Sequence, residues 1–174
     1  MKAIRHSVFE TNSSSTHSVT IPTTVTRNMF YLPTSLWPDL LDNKVHVSLG
    51  EFGWGYDKYT NPFDKLSYLC TMLVETEGRN VPTREELYET EGFRNLNETI
   101  SQYCNCKGIE IISKLETRKW REDGQLYLSH YGYIDHQSCE SYRTLQDFLD
   151  HYRVSIKDFV FNSGIALIID NDNH

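Results

Sequence analysis

The sequence lacks an apolar run long enough to cross a membrane, and its first residues lack the basic and apolar regions of a secretory leader. It is also poor in basic residues: 17 Lys and Arg stand against 24 Asp and Glu, which gives a formal charge of −7. Binding to the backbone of DNA or RNA requires clustered cations, so this shortage argues against general nucleic-acid binding. We therefore expect a cytoplasmic protein that binds neither membranes nor nucleic acids in general.

Cysteine is scarce, and its spacing does not predict a metal site. Cys70, Cys104, Cys106 and Cys139 contain no CxxC pair, whereas structural zinc sites are commonly built from such pairs. No fixed spacing of histidines and acidic residues predicts a metal either, and the sequence assigns no cofactor. Cys70 falls within an apolar helical pattern, which predicts a buried free thiol.

The pattern of apolar residues predicts one α+β domain over residues 1–174, with an antiparallel or mixed sheet and helices packed mainly on one face. A chain of this length can build a hydrophobic core without disulfides. Ser163-Gly164 is expected to join the last two strands as a hairpin turn. Strands are expected at 3–10, 18–21, 44–52, 108–113, 126–135, 159–162 and 165–170, and helices from Pro62, from Thr83, over 93–104 and over 145–152.

Two of these helices have clear local signals. Leu66, Leu69, Cys70 and Leu73 recur at helical spacing and predict one buried face. Thr83-Arg84-Glu85-Glu86 has the form of a capping box, in which a threonine hydroxyl and a glutamate side chain satisfy amides of the first turn. The sequence therefore predicts helices beginning near both positions.

A polar run near the N-terminus is the strongest hint of a site. It contains no glycine or proline, so it is not a generic flexible linker. Hydroxyls and backbone amides in a tight turn can hold an anion, and His17 can add a proton or a charge. The alternative is a serine/threonine turn whose hydroxyls cap their own backbone. The members of the run are Thr11, Asn12, Ser13, Ser14, Ser15, Thr16, His17 and Ser18.

A second polar cluster follows the strand predicted at 126–135. It consists of Asp135, His136, Gln137 and Ser138. Because polar groups are costly to bury unpaired, we expect this cluster and the polar run to face each other across one cavity. The alternative is a loop leading into a helix, with a serine as its N-cap.

His46 and His136 lie in similar local patterns. The segments Val45-His46-Val47-Ser48-Leu49 and His136-Gln137-Ser138-Cys139 share the order His-x-Ser. This pair resembles the motifs of two-histidine phosphoesterases, although Cys139 departs from the hydrophobic residue usual at its position. The resemblance implies adjacent strands, one histidine acting as base and the other as acid, and hydroxyls that hold the phosphate. The alternative is that His46 is an exposed side chain on a half-buried strand.

The N-terminal sequence carries a broader resemblance. Arg5 and the stretch from Phe9 to Ser18 are similar to a set of uncharacterised small proteins encoded by tailed bacteriophages and prophages. The segments 50–54, 65–69 and 135–138 also resemble that set, so the match is spread over much of the chain. The resemblance implies a phage protein acting in the cytoplasm of the host bacterium. It assigns no reaction and no catalytic residue.

Two functions agree with these patterns. The first is a phage accessory protein, for host takeover or anti-defence, with a polar pocket for a phosphate-bearing small molecule or nucleotide. If that protein is an enzyme, it is a phosphoesterase-like or nucleotide-processing hydrolase, with His17, His136 and His46 as acid/base candidates. The second is a non-enzymatic inhibitor or adapter that binds a host protein through an acidic, tyrosine-rich surface. The sequence has 11 tyrosines, and Trp54 and Tyr56 are candidate anchors for such a contact.

Overall fold

The computed structural model describes residues 36, 38–53, 56–134 and 142–169 in full, and the backbone of residues 15–20, 170 and 171. The fold belongs to the α+β class, as predicted. Its helices are α1 (Pro62–Thr76), α2 (Arg84–Tyr88), α3 (Glu91–Cys104), α4 (Leu145–Tyr152) and α5 (Ile156–Phe161). Its strands are β1 (Ser15–Thr20), β2 (Val45–Val47), β3 (Glu51–Phe52), β4 (Asp57–Tyr59), β5 (Ile109–Ile111), β6 (Leu115–Lys119), β7 (Leu126–His130), β8 (Tyr133–Ile134) and β9 (Ala166–Asn171).

The described strands form several small sheets. β9 is the central strand of a three-stranded antiparallel sheet with the order β1-β9-β4. β2 pairs with β5 and β3 pairs with β8, both in parallel. β6 and β7 form a separate antiparallel ribbon. Parallel and antiparallel pairs therefore occur together, but they are divided among short sheets.

α1 is the centre of the hydrophobic core. The side chain of Asn61 accepts a hydrogen bond from the amide of Phe63, and Pro62 occupies the first helical position, so the start of the helix is well defined. The predicted buried face is confirmed, and burial continues around the helix from Lys65 to Glu75. A helix buried on all sides needs neighbours all round. α1 has them in β2, β8, α3, α4 and α5.

Lys65 is a fully buried cation within this core. Its Nζ donates hydrogen bonds to the carbonyl oxygens of Asn162 and Ile165, both at 3.1 Å. These carbonyls lie just after α5, where the negative end of the helix dipole favours a cation. Burial nevertheless lowers the pKa of Lys65 to about 8, because the charged form loses its hydration.

The predicted hairpin at 159–170 is wrong in its first half. Residues 156–161 form α5, because the hydroxyl of Ser155 accepts a hydrogen bond from the amide of Asp158 and so caps the helix. One face of this helix is buried in the core and consists of Ile156, Phe159 and Val160. Ser163-Gly164 therefore joins a helix to β9. A short apolar run fits a buried helix as well as a strand, so its pattern did not separate the two.

The strand predicted over 44–52 is divided into β2 and β3. Between them, the amide of Leu49 donates to the hydroxyl of Ser113, and the amide of Gly50 donates to the hydroxyl of Thr71. These side chains take the place of a strand neighbour. The two strands consequently belong to different sheets.

The other helix predictions are confirmed. Thr83, Thr90 and Thr144 are the N-caps of α2, α3 and α4, and each accepts a hydrogen bond from an amide of the first turn. Cys70 is a buried free thiol, and burial raises its pKa. Among the described helices none is both long and apolar enough to cross a membrane.

Candidate binding surfaces

Most of the predicted polar site lies outside the described residues. This applies to Thr11, Asn12, Ser13, Ser14, Asp135, His136, Gln137 and Ser138, as well as to Trp54. The shared cavity that we expect from the two polar segments therefore stays a prediction. The described residues do place the backbone at the end of the first segment and the strand that leads into the second.

The end of the polar run belongs to the three-stranded sheet of β1, β9 and β4, because β1 begins before residue 18, where the sequence predicts its start. β1 begins at Ser15, so Ser15, Thr16 and His17 belong to a strand and not to a tight turn. The backbone pairs in register with β9, and this pairing uses amides that a turn would offer to an anion. His17 lies opposite Ile169, which on its other side lies opposite Asp57 of β4.

His46 lies on the outer, polar side of β2. Its Nε2 is 2.9 Å from the Oδ2 atom of Asp42, and this hydrogen bond raises the pKa of His46 above its usual value. Val45 and Val47 on either side are buried, which agrees with the alternating pattern of the sequence. β2 pairs with β5, and His136 lies outside the described residues, so an alignment of the two histidines is not established.

The neighbour of His46 in the pairing with β5 is Glu110. The carboxylate of Glu110 accepts hydrogen bonds from Lys44 Nζ at 2.8 Å and from Arg84 Nη1 at 3.0 Å, and forms an ion pair with each. Arg84 also donates to the carbonyl of Ser113. This network ties the start of α2 to β5, and its two cations are already paired with one carboxylate. A phosphate would have to compete with Glu110 for both cations.

A buried pair of acid/base groups lies next to the second predicted segment. Glu75 Oε1 accepts a hydrogen bond from the amide of Ile134 and lies 3.8 Å from His130 Nε2. The two side chains are only 8% and 13% exposed, and His130 Nε2 is buried with no hydrogen-bond partner. Ile134 ends β8, directly before Asp135. Glu75 and His130 are far apart in the chain, so no sequence spacing predicted the pair.

The ribbon of β6 and β7 has one inner and one outer side. On the inner side Leu128 is buried, and the hydroxyl of Thr117 donates to the carbonyl of Pro82. On the outer side Trp120 and Tyr127 stack with ring centroids 4.3 Å apart and planes 23° apart. Trp120 is 44% exposed, and Tyr131, just after β7, is 71% exposed. The aromatic side of the ribbon therefore faces solvent.

The charge of this ribbon differs from that of the whole chain. Residues 114–123 contain four basic and three acidic side chains, against a formal charge of −7 for the protein. Glu116 forms ion pairs with both Lys114 and Arg118. The aromatic rings thus lie beside nearly balanced charges.

Two adjoining cavities open between α3, α4 and the start of α5. The smaller has a volume of about 240 Å³ and the larger about 470 Å³. Both are lined by Asn95, Gln146, Leu149 and Ile156, so they form one groove. Glu77 lines the smaller cavity. Its Oε2 atom is buried and has no hydrogen-bond partner.

Comparison with known proteins gives no relative. The chain matches no protein-family model, no curated protein sequence and no solved structure at a significant level. The phage resemblance of the N-terminal sequence therefore stays a prediction. The candidate surfaces rest on the geometry of this chain.

Proposed function

We propose that the protein is a non-enzymatic inhibitor or adapter that binds a partner protein through the outer face of the β6–β7 ribbon. We define this face by Trp120, Tyr127, Tyr131, Arg118 and Lys114. The observation that carries the proposal is the exposed ring of Trp120, which stacks on the partly buried ring of Tyr127. Tryptophan, tyrosine and arginine are the residues that dominate binding energy in protein interfaces.

The ribbon is suited to present these rings in a fixed arrangement. Five residue pairs join its strands, from Leu115 with His130 to Lys119 with Leu126. Its inner side is anchored by buried Leu128 and by the hydrogen bond from Thr117. A face that is ordered before binding loses less conformational entropy when a partner attaches.

The charges of the ribbon favour a protein over a nucleic acid as partner. Glu116 lies between Lys114 and Arg118 and pairs with both. Phosphate backbones select clusters of cations that carboxylates do not neutralise. Aromatic rings beside balanced charges instead suit a partner with an apolar pocket and a polar rim. This differs from the acidic surface that composition suggested, because the rings of this face lie beside nearly balanced charges.

The bacteriophage resemblance of the sequence supports an infected bacterium as the setting of this binding. The partner is then a host protein in the bacterial cytoplasm, and binding blocks or redirects that protein. The tyrosines of the core do not take part. Tyr68 is fully buried and Tyr142 nearly so, and both pack against the ring of Phe148.

Affinity capture with matched variants tests the proposal. Immobilised protein would be exposed to host lysate as wild type, as the Trp120→Ala/Tyr127→Ala double variant, and as Tyr56→Ala. Tyr56 is 58% exposed and adjoins β4, so the Tyr56→Ala substitution removes an exposed ring from a different surface. We expect one protein that the wild type and Tyr56→Ala retain and the ribbon variant loses. Equal retention by all three, or loss with Tyr56→Ala alone, would overturn the proposal.

The buried Glu75 and His130 pair favours a second candidate function. It adjoins the strand that leads into Asp135 and His136, where the sequence predicts a pocket for a phosphate-bearing ligand. In this candidate His130 is a third histidine beside the acid/base candidates His17 and His136. Native mass spectrometry of unmodified protein tests it. A bound phosphate compound that His136→Ala loses would support a pocket, whereas a mass equal to the bare chain and no hydrolysis of cyclic nucleotides would reject it.

A further inference from the structure

We propose that the turn before β2 is a second protein-binding surface, on which Leu40 and Leu41 fill an apolar pocket with a basic rim on a partner protein. We call residues 39–44 the leucine turn. This surface is separate from the ribbon and independent of the partner proposed for the ribbon. Its main evidence is that Leu40 and Leu41 are 101% and 97% exposed, although hydrogen bonds fix the backbone that carries them.

The leucine turn is held by its own backbone and aspartate atoms. The amides of Asp39 and Asn43 donate to the carbonyls of Lys44 and Asp39, both at 2.8 Å. Asp39 Oδ1 accepts a hydrogen bond from the amide of Leu41 at 2.7 Å, and Asp42 Oδ1 accepts one from the amide of Lys44 at 3.0 Å. Asn43 has a left-handed φ of 58°, which asparagine tolerates better than most residues. None of these bonds uses a leucine side chain.

The turn is also joined to the two-stranded sheet of β2 and β5. The amide of Lys107, before β5, donates to the carbonyl of Asn43 at 2.8 Å. Val45, directly after the turn, is buried, and its amide donates to the carbonyl of Gly108 at 2.8 Å. The backbone of the turn is therefore ordered before binding, which lowers the conformational entropy that a partner must remove.

The two leucines are not explained by folding. Turns favour Gly, Pro, Asn, Asp and Ser for the backbone geometry that these residues supply, and leucine supplies none of it. At nearly full exposure neither leucine adds buried area to the fold. Single exposed apolar residues are ordinary on protein surfaces. Two adjacent leucines on an ordered turn instead form one apolar projection, whose shape suits a pocket.

The charges around the leucines indicate the rim of that pocket. Asp39 and Asp42 lie directly before and after the two leucines in the chain. The hydrogen bond to Asp42 raises the pKa of His46, and the charge of Asp39 raises it further, so the potential at this end of β2 is negative. Lys44, the basic residue of the turn, is already paired with Glu110. A partner with Lys or Arg around its pocket complements these charges.

The same charges argue against two other occupants. The cytoplasmic face of a membrane is anionic and attracts basic segments, whereas this turn has carboxylates on both sides of its leucines. A second copy of the chain would bring the same carboxylates and a formal charge of −7 to the contact. A basic partner protein is the occupant that meets no such repulsion.

Site-specific cross-linking identifies the partner. The photoreactive residue p-benzoylphenylalanine would replace Leu41 in one preparation and Ile112 in another, and each would be irradiated in host lysate. Ile112 is 56% exposed and lies between β5 and β6, so it is a matched apolar control. We expect one protein that cross-links from position 41 and not from position 112. That protein is then purified for the measurements that test the proposal.

Calorimetric titration of the purified partner tests the role of the leucines. The variants are Leu40→Ser/Leu41→Ser and the control Ile112→Ser. We expect the double variant to weaken binding by about a hundredfold, because burial of each leucine side chain contributes at least about tenfold. Ile112→Ser should leave the dissociation constant unchanged. The melting temperature should be the same in all three proteins, since the substituted side chains are exposed.

A second pair of variants tests the basic rim. Asp39→Asn/Asp42→Asn removes two charges but keeps the side-chain oxygens that accept hydrogen bonds within the turn. The control Asp123→Asn makes the same change in the ribbon turn, where Asp123 accepts a hydrogen bond from the amide of Gln125. We expect weaker binding and a smaller dependence on salt in the double variant, and neither effect in the control.

Five results would overturn the proposal. The first three are equal cross-linking from positions 41 and 112, an affinity that the leucine variant leaves unchanged, and a lower melting temperature of that variant, which would mean that the fold covers the leucines. Wild-type protein that sediments with vesicles of phosphatidylcholine and phosphatidylglycerol, when the leucine variant does not, would assign the turn to a lipid surface. A dimer in analytical ultracentrifugation that only the leucine variant loses would assign it to a second copy.

Discussion

The helix α1 and the β6–β7 ribbon use their apolar residues in opposite ways. In α1 all side chains from Lys65 to Glu75 are buried, so that the helix is covered on every side. In the ribbon strands Leu128 is the buried hydrophobic residue, while Leu126 and Trp120, just after β6, remain about half exposed. The comparison shows that the rings of the ribbon add little to the core. Their position at the surface agrees with the binding role that we propose for the ribbon.

The largest expected loss of stability comes from a substitution in the core helix α1. Leu69 is fully buried in α1. Leu69→Ala should lower the free energy of unfolding by about 2–5 kcal/mol, because it removes buried methyl groups and leaves a cavity. Urea denaturation followed by circular dichroism measures this change.

A substitution of Trp120 in the ribbon gives the comparison with Leu69→Ala in the core. Trp120→Ala should cost less than Leu69→Ala, since it removes about 0.5–1.5 kcal/mol of aromatic stacking and the burial of a ring that is only partly covered. A cost equal to that of Leu69→Ala would show that Trp120 is part of the core, and the contrast between the two regions would fail.

The next effect concerns Lys65 and pH. Its pKa is lowered to about 8 in the folded protein from 10.5, so the unfolded chain binds more protons between these values and stability rises with pH there. From pH 8 to pH 9.5 the wild type should gain about 1.5 kcal/mol relative to Lys65→Met, because folded Lys65 is already half deprotonated at pH 8 and each further pKa unit contributes 1.36 kcal/mol. Urea denaturation at each pH measures the difference. A constant difference between the two proteins would mean that Lys65 keeps its ordinary pKa.

A smaller effect compares two threonine hydroxyls. Thr144 caps α4 by accepting a hydrogen bond from the amide of Asp147, and Thr117 ties the ribbon to Pro82. Thr144→Ala should cost about 1 kcal/mol, the usual value of an N-cap. Thr117→Val should speed amide hydrogen exchange in the ribbon without changing exchange in α1. Faster exchange in both regions would show that the ribbon and the core unfold together.

The smallest effect is at His46. The hydrogen bond with Asp42 raises the pKa of His46. The stability from this pair is therefore fully present below the unfolded pKa of about 6.5 and is lost as the pH rises through the higher folded value. In Asp42→Asn the pKa of His46, followed by NMR of the ring protons, should fall toward 6.5. An unchanged pKa would mean that another group holds the proton.

The sequence predicted the helices well because their signals are local. Leucine spacing in α1 and the capping box that begins at Thr83 lie within a few residues of the structure that they determine. The strand predicted at 159–162 is wrong, because the short apolar run of α5 fits a buried helix as well as a strand and its N-cap, Ser155, lies before the run.

The candidate surfaces were harder to predict. β6 is mostly polar, so its apolar pattern does not predict a strand, although Asp123-Gly124 is a hairpin signal that marks the ribbon turn. Glu75 meets His130, and Glu77 meets Gly92, only through the packing of α1 against distant elements. Long-range contacts of this kind leave no periodic pattern in one sequence.

The most direct test of the central claim is the affinity of the ribbon for the captured partner protein. Isothermal titration would compare the purified partner with wild type, Trp120→Ala and Tyr56→Ala. We predict that Trp120→Ala weakens binding by about thirtyfold or more, since interface hot spots contribute at least about 2 kcal/mol, while Tyr56→Ala leaves the dissociation constant unchanged. An unchanged dissociation constant in a folded Trp120→Ala variant would contradict the claim that the ribbon is the binding surface.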